Sequence, residues 1–423
     1  MMGNKISKRF MIVLALLCIG LFAFATTVTA KEAPKEIKVG VVMPLSGPVA
    51  WAGASLKAGC ELAVKQINAE GGVFVKEYNK KIPLKAFYED CQSKPAIGVA
   101  VAEKLITKDK VNFLVGDAFH SSVTMAIMEL APKYNLPMQS FMPVSEAISD
   151  RIVAEPKKYW NFWKGDFASS AYGKTIAQTY AYLDEKGLFK PKQKTVAFVI
   201  EDTDFGRSNA DISLQLMKKN GWKKVAYEVV PLGHNDFYPQ LTKLKASRPD
   251  VVVSCFTALN SGVSFVKQFS ESGLGSSHMA IFYPLYPQLV KQAGNAAEFL
   301  MWTPLLLNPA KNKIQAKFQD DYKKAYGKGI NNQNAAGYDG MLGVAMAFEN
   351  AGSLDPKKVV KALSQADYQG VLGRYKYNQE RHEIMDGVDF IPIPTAQIIK
   401  GKSNIIWPPS LAGAVYQKEP WIQ

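Results

Sequence analysis

The order in which strand-like and helix-like segments alternate along the chain most constrains its fold. From residue 37 onward, short runs rich in β-branched and aromatic residues alternate with longer amphipathic runs. The first set predicts strands at 37–43, 84–88, 111–115 and 137–141 and helices at 54–67, 96–107 and 122–134. This order predicts a parallel sheet covered by helices, because parallel strands are joined through crossover connections, usually helices.

A second set of the same kind follows. It predicts helices at 169–185, 205–219, 236–246 and 261–272, and strands at 195–200, 224–230, 251–256, 280–283 and 298–302. The remainder predicts helices at 311–326, 334–351 and 356–364, and β-like runs at 373–377, 388–393 and 396–399. Two sets predict an α/β protein with two lobes, and irregular stretches near 159–166 and 304–309 are the expected crossovers.

The N-terminus has the composition of a secretory signal peptide. Lys5, Lys8 and Arg9 precede an apolar run at 10–25, and small residues at 26–30 close it. This run is short for a membrane span, which needs ~20 residues. We therefore predict a signal peptide over 1–30 and a soluble, exported protein, either periplasmic or secreted.

The charge balance invites a nucleic-acid interpretation that the pattern does not support. The chain has 51 Lys and Arg against 37 Asp and Glu, a formal net charge of +14. However, the lysines are dispersed as singles and pairs, without arginine clusters interleaved with aromatic residues. Such lysines are typical of solvated helix faces, so no nucleic-acid partner is expected.

Three cysteines follow the predicted signal peptide: Cys60, Cys91 and Cys255. An oxidising compartment permits a disulfide, and Cys60–Cys91 is the candidate pair, because Cys91 follows a predicted strand beside the first helix. Alternatively, Cys60 is a small core residue, since it shares a helical face with Leu56 and Ile67. Cys255 lies in a predicted strand, where we expect it to be buried.

Motifs of common catalytic chemistry are missing from the sequence. It contains no phosphate-binding loop, dinucleotide-binding loop, nucleophile elbow or zinc-binding helix motif. The four histidines are dispersed, although His120 lies in a loop after a predicted strand and is a candidate cavity wall. We therefore predict neither catalytic residues, nor a metal site, nor a cofactor.

Binding sites of open parallel sheets lie beyond the carboxyl ends of the strands, where loops lead into helix N-termini. Such termini carry unpaired N–H groups suited to a carboxylate. The loops to consider here are 44–53, 116–122, 142–145, 201–208 and 257–261.

Several motifs follow one another in the order of one family. The segment KVGVVMPLSGP at 38–48 leads through Gly53 to AEGG at 69–72. The later motifs are YED at 88–90, Gly116 with Ser121 and Ser122, APKYNLP at 131–137, DFG at 204–206, GYD at 337–339 and GVLG at 370–373. Together they resemble the periplasmic branched-chain amino acid (Leu/Ile/Val) binding proteins, the substrate-binding components of ABC importers, over nearly all of 36–402.

This resemblance implies a type I periplasmic binding protein. Its two lobes, each with a parallel helix-covered sheet, are joined by three crossovers and close on a small ligand by hinge motion. The implied division is a first lobe of 36–163 plus 306–386, a second lobe of 164–305 plus 387–403, and a C-terminal tail of 404–423. Whether the tail packs on a lobe or on a partner stays open.

The resemblance also carries site residues over to this chain. Ser121 matches the serine that holds the ligand carboxylate, with Ser122 beside it as the alternative helix cap. Met142 matches a position whose backbone carbonyl meets the ligand ammonium. Ser145 corresponds to the hydroxyl that completes the carboxylate site, although Val144 aligns equally well. The aromatic candidates for the ligand-binding wall are Trp51, Phe205, Tyr283 and Tyr338.

One departure bears on the ligand. The amino-acid binders of the family place an acid after a second-lobe strand, where this chain reads FYPLYP at 282–287, around Leu285. A buried ammonium without a partner costs several kcal/mol. Either another acid, such as Asp202 or Asp204, substitutes, or the ligand has no ammonium.

The sequence therefore predicts a monomeric periplasmic receptor that delivers a small carboxylate ligand to an ABC permease in the inner membrane. An apolar or branched-chain amino acid is the first candidate ligand, and an aromatic or short organic acid is the second. A ligand sensor that acts on a separate membrane partner is the alternative of a different class.

Overall fold

Two helix-covered β-sheets form the two lobes in the computed structural model, which describes residues 32–422. The strands are β1 (Ile37–Met43), β2 (Val73–Val75), β3 (Lys80–Ile82), β4 (Leu84–Asp90), β5 (Phe113–Val115), β6 (Met138–Ser140), β7 (Phe162–Lys164), β8 (Thr195–Glu201), β9 (Lys223–Val230), β10 (Val251–Phe256), β11 (Ser277–Phe282), β12 (Met301–Trp302), β13 (Asp367–Gln369), β14 (Arg374–Asn378), β15 (Glu383–Ile384), β16 (Thr395–Ile399) and β17 (Lys402–Trp407). This α/β architecture confirms the predicted fold class.

Helices cover both sheets. The α-helices are Ala50–Ala69, Pro95–Thr107, Ser121–Ile127, Leu130–Tyr134, Glu146–Ala154, Ser169–Glu185, Asp204–Lys219, Tyr238–Ser247, Leu259–Ser272, Gln288–Ala293, Lys313–Tyr326, Asn332–Ala351 and Pro356–Ser364. Short 3-10 helices lie at Lys76–Tyr78, Tyr283–Leu285 and Gly294–Ala297.

Each lobe is built from separate segments of the chain. The first sheet runs β13-β14-β15-β7-β6-β5-β1-β4 and the second runs β17-β16-β12-β11-β10-β8-β9. Strands β4, β1, β5, β6 and β7 pair in parallel, as do β9, β8, β10, β11 and β12. The chain passes between the sheets after β7, after β12 and after β15, so both lobes contain segments that are distant in sequence.

A close helix pair explains one of the sequence motifs. Helix Ala50–Ala69 packs against helix Asn332–Ala351 in the first lobe. A Cβ atom on Gly59 would lie 2.0 Å from the carbonyl oxygen of Asn334, and one on Gly337 would lie 2.2 Å from that of Leu56. Since real atoms cannot approach so closely, the two glycines let the helix backbones touch.

Some predicted elements differ from the structure. The helix predicted at 122–134 is two helices, while Glu146–Ala154 and the β2–β3 hairpin were not predicted. The β-like run at 388–393 forms no named strand. Pro392 lacks the N–H that a sheet needs, and Pro394 directly follows the run.

The disulfide candidate is wrong, because Cys60 and Cys91 are both free and buried. Cys60 lies in the core that contains Val41, whereas Cys91 lies in the separate core that contains Val42. Adjacent residues of a strand point to opposite faces of a sheet, so the two thiols lie on opposite sides of the first sheet. The Cys60 thiol donates to the carbonyl oxygen of Gly337 instead, with a separation of 3.3 Å.

We expect the three thiols of the described residues to resist alkylation in the native protein. Burial raises the pKa of Cys60, Cys91 and Cys255, so little reactive thiolate forms. Iodoacetamide followed by mass spectrometry should label none of them within minutes at neutral pH and all three in urea. Rapid native labelling of Cys91 would contradict the buried placement.

The C-terminal segment packs on the second lobe. The Trp421 indole N–H donates to the carbonyl oxygen of Ser276 at 3.0 Å, and Ser277 donates to the Glu419 carboxylate at 2.7 Å. The predicted tail boundary at 404 is also wrong, because Lys402–Trp407 is strand β17 of the second sheet. This strand pairs with β16, and long-range pairing of this kind leaves no local signal.

Candidate functional site

A cavity lies between the lobes, at the carboxyl ends of strands from both sheets. It encloses about 450 Å³ free of atoms, its opening to solvent included. The lining residues are Phe119, His120, Ser121, Ser122, Met142, Val144, Asp166, Tyr172, Glu201, Thr203, Phe205, Thr257 and Phe282. Four of the predicted site residues are therefore brought together here: Ser121, Ser122, Met142 and Phe205.

Two serines of the first lobe line this cavity. The Ser121 hydroxyl oxygen accepts from the backbone N–H of Ser145 at 3.2 Å, and the Ser122 hydroxyl oxygen accepts from that of Asp204 at 3.1 Å. Because each oxygen acts as an acceptor, each hydroxyl proton is available to an anionic group in the cavity. Val144 lines the cavity, whereas Ser145 is buried outside the lining and reaches it only through the backbone N–H that donates to Ser121.

An aspartate positions the neighbouring cavity wall. Asp117 accepts hydrogen bonds from the backbone N–H groups of Phe119 at 2.5 Å and His120 at 2.8 Å. The turn places both side chains in the lining. The His120 ring is buried, and neither of its nitrogens has a hydrogen-bond partner within residues 32–422, although Nδ1 lies 3.9 Å from Oδ1 of Asp117. A polar group of a bound molecule can supply one.

Aromatic rings form the apolar wall. The Phe282 ring lies 5.5 Å from Phe119 and 5.7 Å from Phe205, measured between ring centroids and in edge-to-face arrangements. Phe282 has φ 78° and ψ −61°, a conformation that bulky residues seldom adopt. Strain of this kind costs about 1–3 kcal/mol and tends to occur at functional sites.

A buried glutamate was missed by the sequence interpretation. Glu201 ends β8 and is 1% exposed. Its carboxylate accepts from the Thr257 backbone N–H at 2.7 Å, from the Thr257 hydroxyl at 2.8 Å and from the Thr203 hydroxyl at 3.0 Å. Burial is the largest influence and raises the pKa of Glu201 despite these hydrogen bonds.

A second acid, Asp166, was also missed. It follows β7 at the first crossover, lines the cavity, and accepts from the backbone N–H of Phe167 at 2.9 Å. Burial raises its pKa well above the ordinary range, and Lys164 opposes that effect only in part. The available signal was position alone, since Asp166 and Glu201 each follow or end a strand.

The acids proposed from sequence as ammonium partners lie elsewhere. Asp202 is exposed, and its carboxylate accepts from the Arg207 guanidinium at 2.9 Å. Asp204 begins the next helix, and its side chain is not part of the lining. This part of the prediction is corrected: the buried acid beside them in the chain, Glu201, is the one that reaches the cavity.

Two predicted wall residues lie in the interiors of the lobes. The Tyr338 hydroxyl donates to the side chain of Gln66 at 2.6 Å, away from the cavity. The Tyr283 hydroxyl lies 2.7 Å from Ser254 and 3.1 Å from His278 in the second lobe. Both side chains satisfy their polar atoms within their own lobe, and neither lines the cavity.

Trp51 also lies outside the lining, but it contacts the opposite lobe. Its ring lies 5.0 Å from that of Tyr286. Hydrogen bonds also join the lobes, among them Ser122 with Asp204, and the Glu146 backbone N–H with the Ser208 hydroxyl at 2.8 Å. The lobes are thus closed on each other in this structure.

Comparisons with known proteins agree with this architecture. A family model described as "Periplasmic binding protein" matches residues 36–397. The chain is 26% identical over 351 residues to "Leu/Ile/Val-binding protein homolog 1" of Brucella melitensis, covering 82% of this chain and 87% of that protein.

Solved structures share the fold. The branched-chain amino acid transporter substrate-binding protein LivJ of Streptococcus pneumoniae, in complex with isoleucine, has a TM-score of 0.71 at 24% identity, covering 87% of this chain and 98% of that one. A solute-binding protein of an ABC transporter from R. palustris, in complex with benzoate, has a TM-score of 0.72 at 18% identity, covering 92% and 99%. Since the family model spans most of the described residues, the chain belongs to the periplasmic binding protein family.

Proposed function

We propose that this chain is the solute-binding component of an ABC importer and binds a small carboxylate in the cavity between its lobes. The observation that carries the proposal is the pair of hydroxyls of Ser121 and Ser122, whose protons are available to a carboxylate. Apolar walls beside them suit an apolar ligand body. Binding is physical, without turnover of the ligand.

The proposed role requires that the chain is exported to the periplasm. The predicted signal peptide at 1–30 lies outside the described residues, and membership of this family supports a periplasmic location. None of the helices within 32–422 is long and apolar enough to cross a bilayer. We propose that the chain acts as a monomer and that the closed lobes are the form that a permease in the inner membrane recognises.

A second candidate ligand is an aromatic acid. The edge-to-face rings of Phe119, Phe205 and Phe282 form a wall suited to a flat ring. The R. palustris relative of similar fold was solved with benzoate. Both candidates share the carboxylate, so both share the first test.

We expect Ser121→Ala to weaken carboxylate binding by about 1–3 kcal/mol, because a hydrogen bond to a charged group is lost. Isothermal titration of the chain from Lys31 with leucine, phenylalanine and benzoate measures this change. Ser261→Ala is the matched control, since Ser261 is also a buried serine in the first turn of a helix but lies outside the cavity. Equal affinity of Ser121→Ala and wild type would remove Ser121 from the site.

A further inference from the structure

We infer that Glu201 and Asp166 form an acidic subsite that binds an ammonium group, so that the ligand is an amino acid and not an acid without nitrogen. This inference rests on the proposed function and narrows its ligand class. The two residues would pair with the ligand ammonium, a role for which no acid is present around Leu285.

The charge pattern of the lining is the first argument. Both acids line the cavity, and none of its lining residues is a lysine or an arginine. The nearby cations are already paired: Lys164 lies 3.2 Å from Glu383, and Arg207 lies 2.8 Å from Asp202. His120 is the one lining residue that can carry a positive charge. The cavity therefore has more buried acid than buried base.

Burial makes this imbalance costly. Glu201 is 1% exposed and Asp166 is 8% exposed. Charged carboxylates removed from water without a cation are destabilised by several kcal/mol each. The raised pKa of both groups reflects this cost. An ammonium on the ligand relieves it, whereas the ring of a plain aromatic acid places apolar atoms against the same carboxyls.

The geometry of the lobes is the second argument. Ser121 and Ser122 belong to the first lobe, Asp166 lies at the crossover after β7, and Glu201 ends β8 of the second sheet. An amino acid whose carboxylate binds the serines can direct its ammonium towards Glu201. Its two charges then hold the two lobes together, and the ammonium contributes to closure as well as to affinity.

Matched pairs of ligands test the inference on the unmodified protein. L-leucine is compared with 4-methylpentanoate, and L-phenylalanine with 3-phenylpropanoate, by isothermal titration of the chain from Lys31. The members of each pair differ only by the amino group. We expect the amino acid of at least one pair to bind at least about 30-fold more tightly, as for a lost charged hydrogen bond.

Variants then assign the effect to residues. Glu201→Gln removes the charge with little change in size. It should weaken binding of the amino acid at least about 10-fold, while the affinity for the acid without nitrogen should change less than about 3-fold. Asp202→Asn is the matched control, because it makes the same charge change at the next residue, outside the cavity. Asp166→Asn repeats the test if thermal melting shows that Glu201→Gln is unfolded.

The outcomes separate the two claims. If the acids without nitrogen bind as tightly as their amino acid partners, the ammonium subsite is overturned while the carboxylate receptor stands. The subsite is likewise overturned if Glu201→Gln and Asp166→Asn both fold and weaken the two members of a pair equally. If no member of either pair binds, and benzoate does not bind, the proposed function fails and the inference fails with it.

Discussion

Replacing Glu383 by glutamine should lower the free energy of unfolding by about 3–5 kcal/mol, because it removes the carboxylate that is ion-paired with the buried Lys164 ammonium. Lys164 is 0% exposed, and its Nζ atom lies 3.2 Å from Oε2 of Glu383. The two residues are register partners in the parallel pair of β7 and β15. Glu383 also accepts from Ser149 and, at 3.0 Å, from Arg381.

Urea unfolding at pH 7 measures this effect, and Lys164→Met is the informative comparison. That variant should cost less, because Glu383 keeps its bonds to Arg381 and Ser149. The double variant Lys164→Met/Glu383→Leu should recover part of the loss, since apolar pairs often replace buried ion pairs at little cost. A loss below about 1 kcal/mol for Glu383→Gln would show that Lys164 finds another partner or water.

The stability that Glu383 contributes should fall as the pH is lowered. Burial acts to raise the pKa of Glu383, but Lys164, Ser149 and Arg381 together outweigh it and lower the pKa below its ordinary value. The stabilisation is therefore present above the unfolded pKa of about 4.3 and is lost as the pH falls through the folded value. Glu383→Gln should lack this part of the acid-induced loss of stability.

Asp339→Ala should lower the free energy of unfolding by about 2–4 kcal/mol, because it leaves two buried N–H groups without an acceptor. The Asp339 carboxylate accepts from the backbone N–H of Val371 at 2.8 Å and of Leu372 at 2.9 Å. Gly370 completes the fit, since a Cβ atom there would lie 2.7 Å from Cγ of Asp339. Urea midpoints of the variant and wild type at pH 7 measure the loss.

The stability that Asp339 contributes should change with pH in the opposite direction to that of Glu383. Burial, the largest influence, raises its pKa to about 7, and the two backbone N–H groups oppose this shift only in part. An acid whose pKa is raised in the folded state stabilises the fold most below its unfolded pKa of about 3.9. This contribution is lost as the pH rises through the folded pKa of about 7. If the difference between wild type and Asp339→Ala does not shrink from pH 5 to pH 8, the charged form is the one that the fold prefers.

These contacts also explain two of the sequence motifs. GYD at 337–339 and GVLG at 370–373 are separate along the chain, and the resemblance to the family gave each a place but no physical role. The structure joins them through the Asp339 carboxylate and the N–H groups of Val371 and Leu372. The motif predicts a site role for Tyr338 and none for Asp339, because a buried acid and an exposed one look the same in a sequence.

From the sequence alone, the α/β order, the two lobes and the loops that carry Ser121, Met142 and Phe205 could be predicted. These features follow from periodicity and from turn residues, which are short-range signals. The three-dimensional packing of the chain distinguishes neighbours that look alike in the sequence, such as Glu201, which is buried in the cavity, and Asp202, which is exposed and paired with Arg207. It likewise placed Cys60 and Cys91 on opposite faces of one sheet. In both cases, segments that are distant in the sequence pack around these side chains and set how buried each one is, and no short-range pattern in the sequence records that packing.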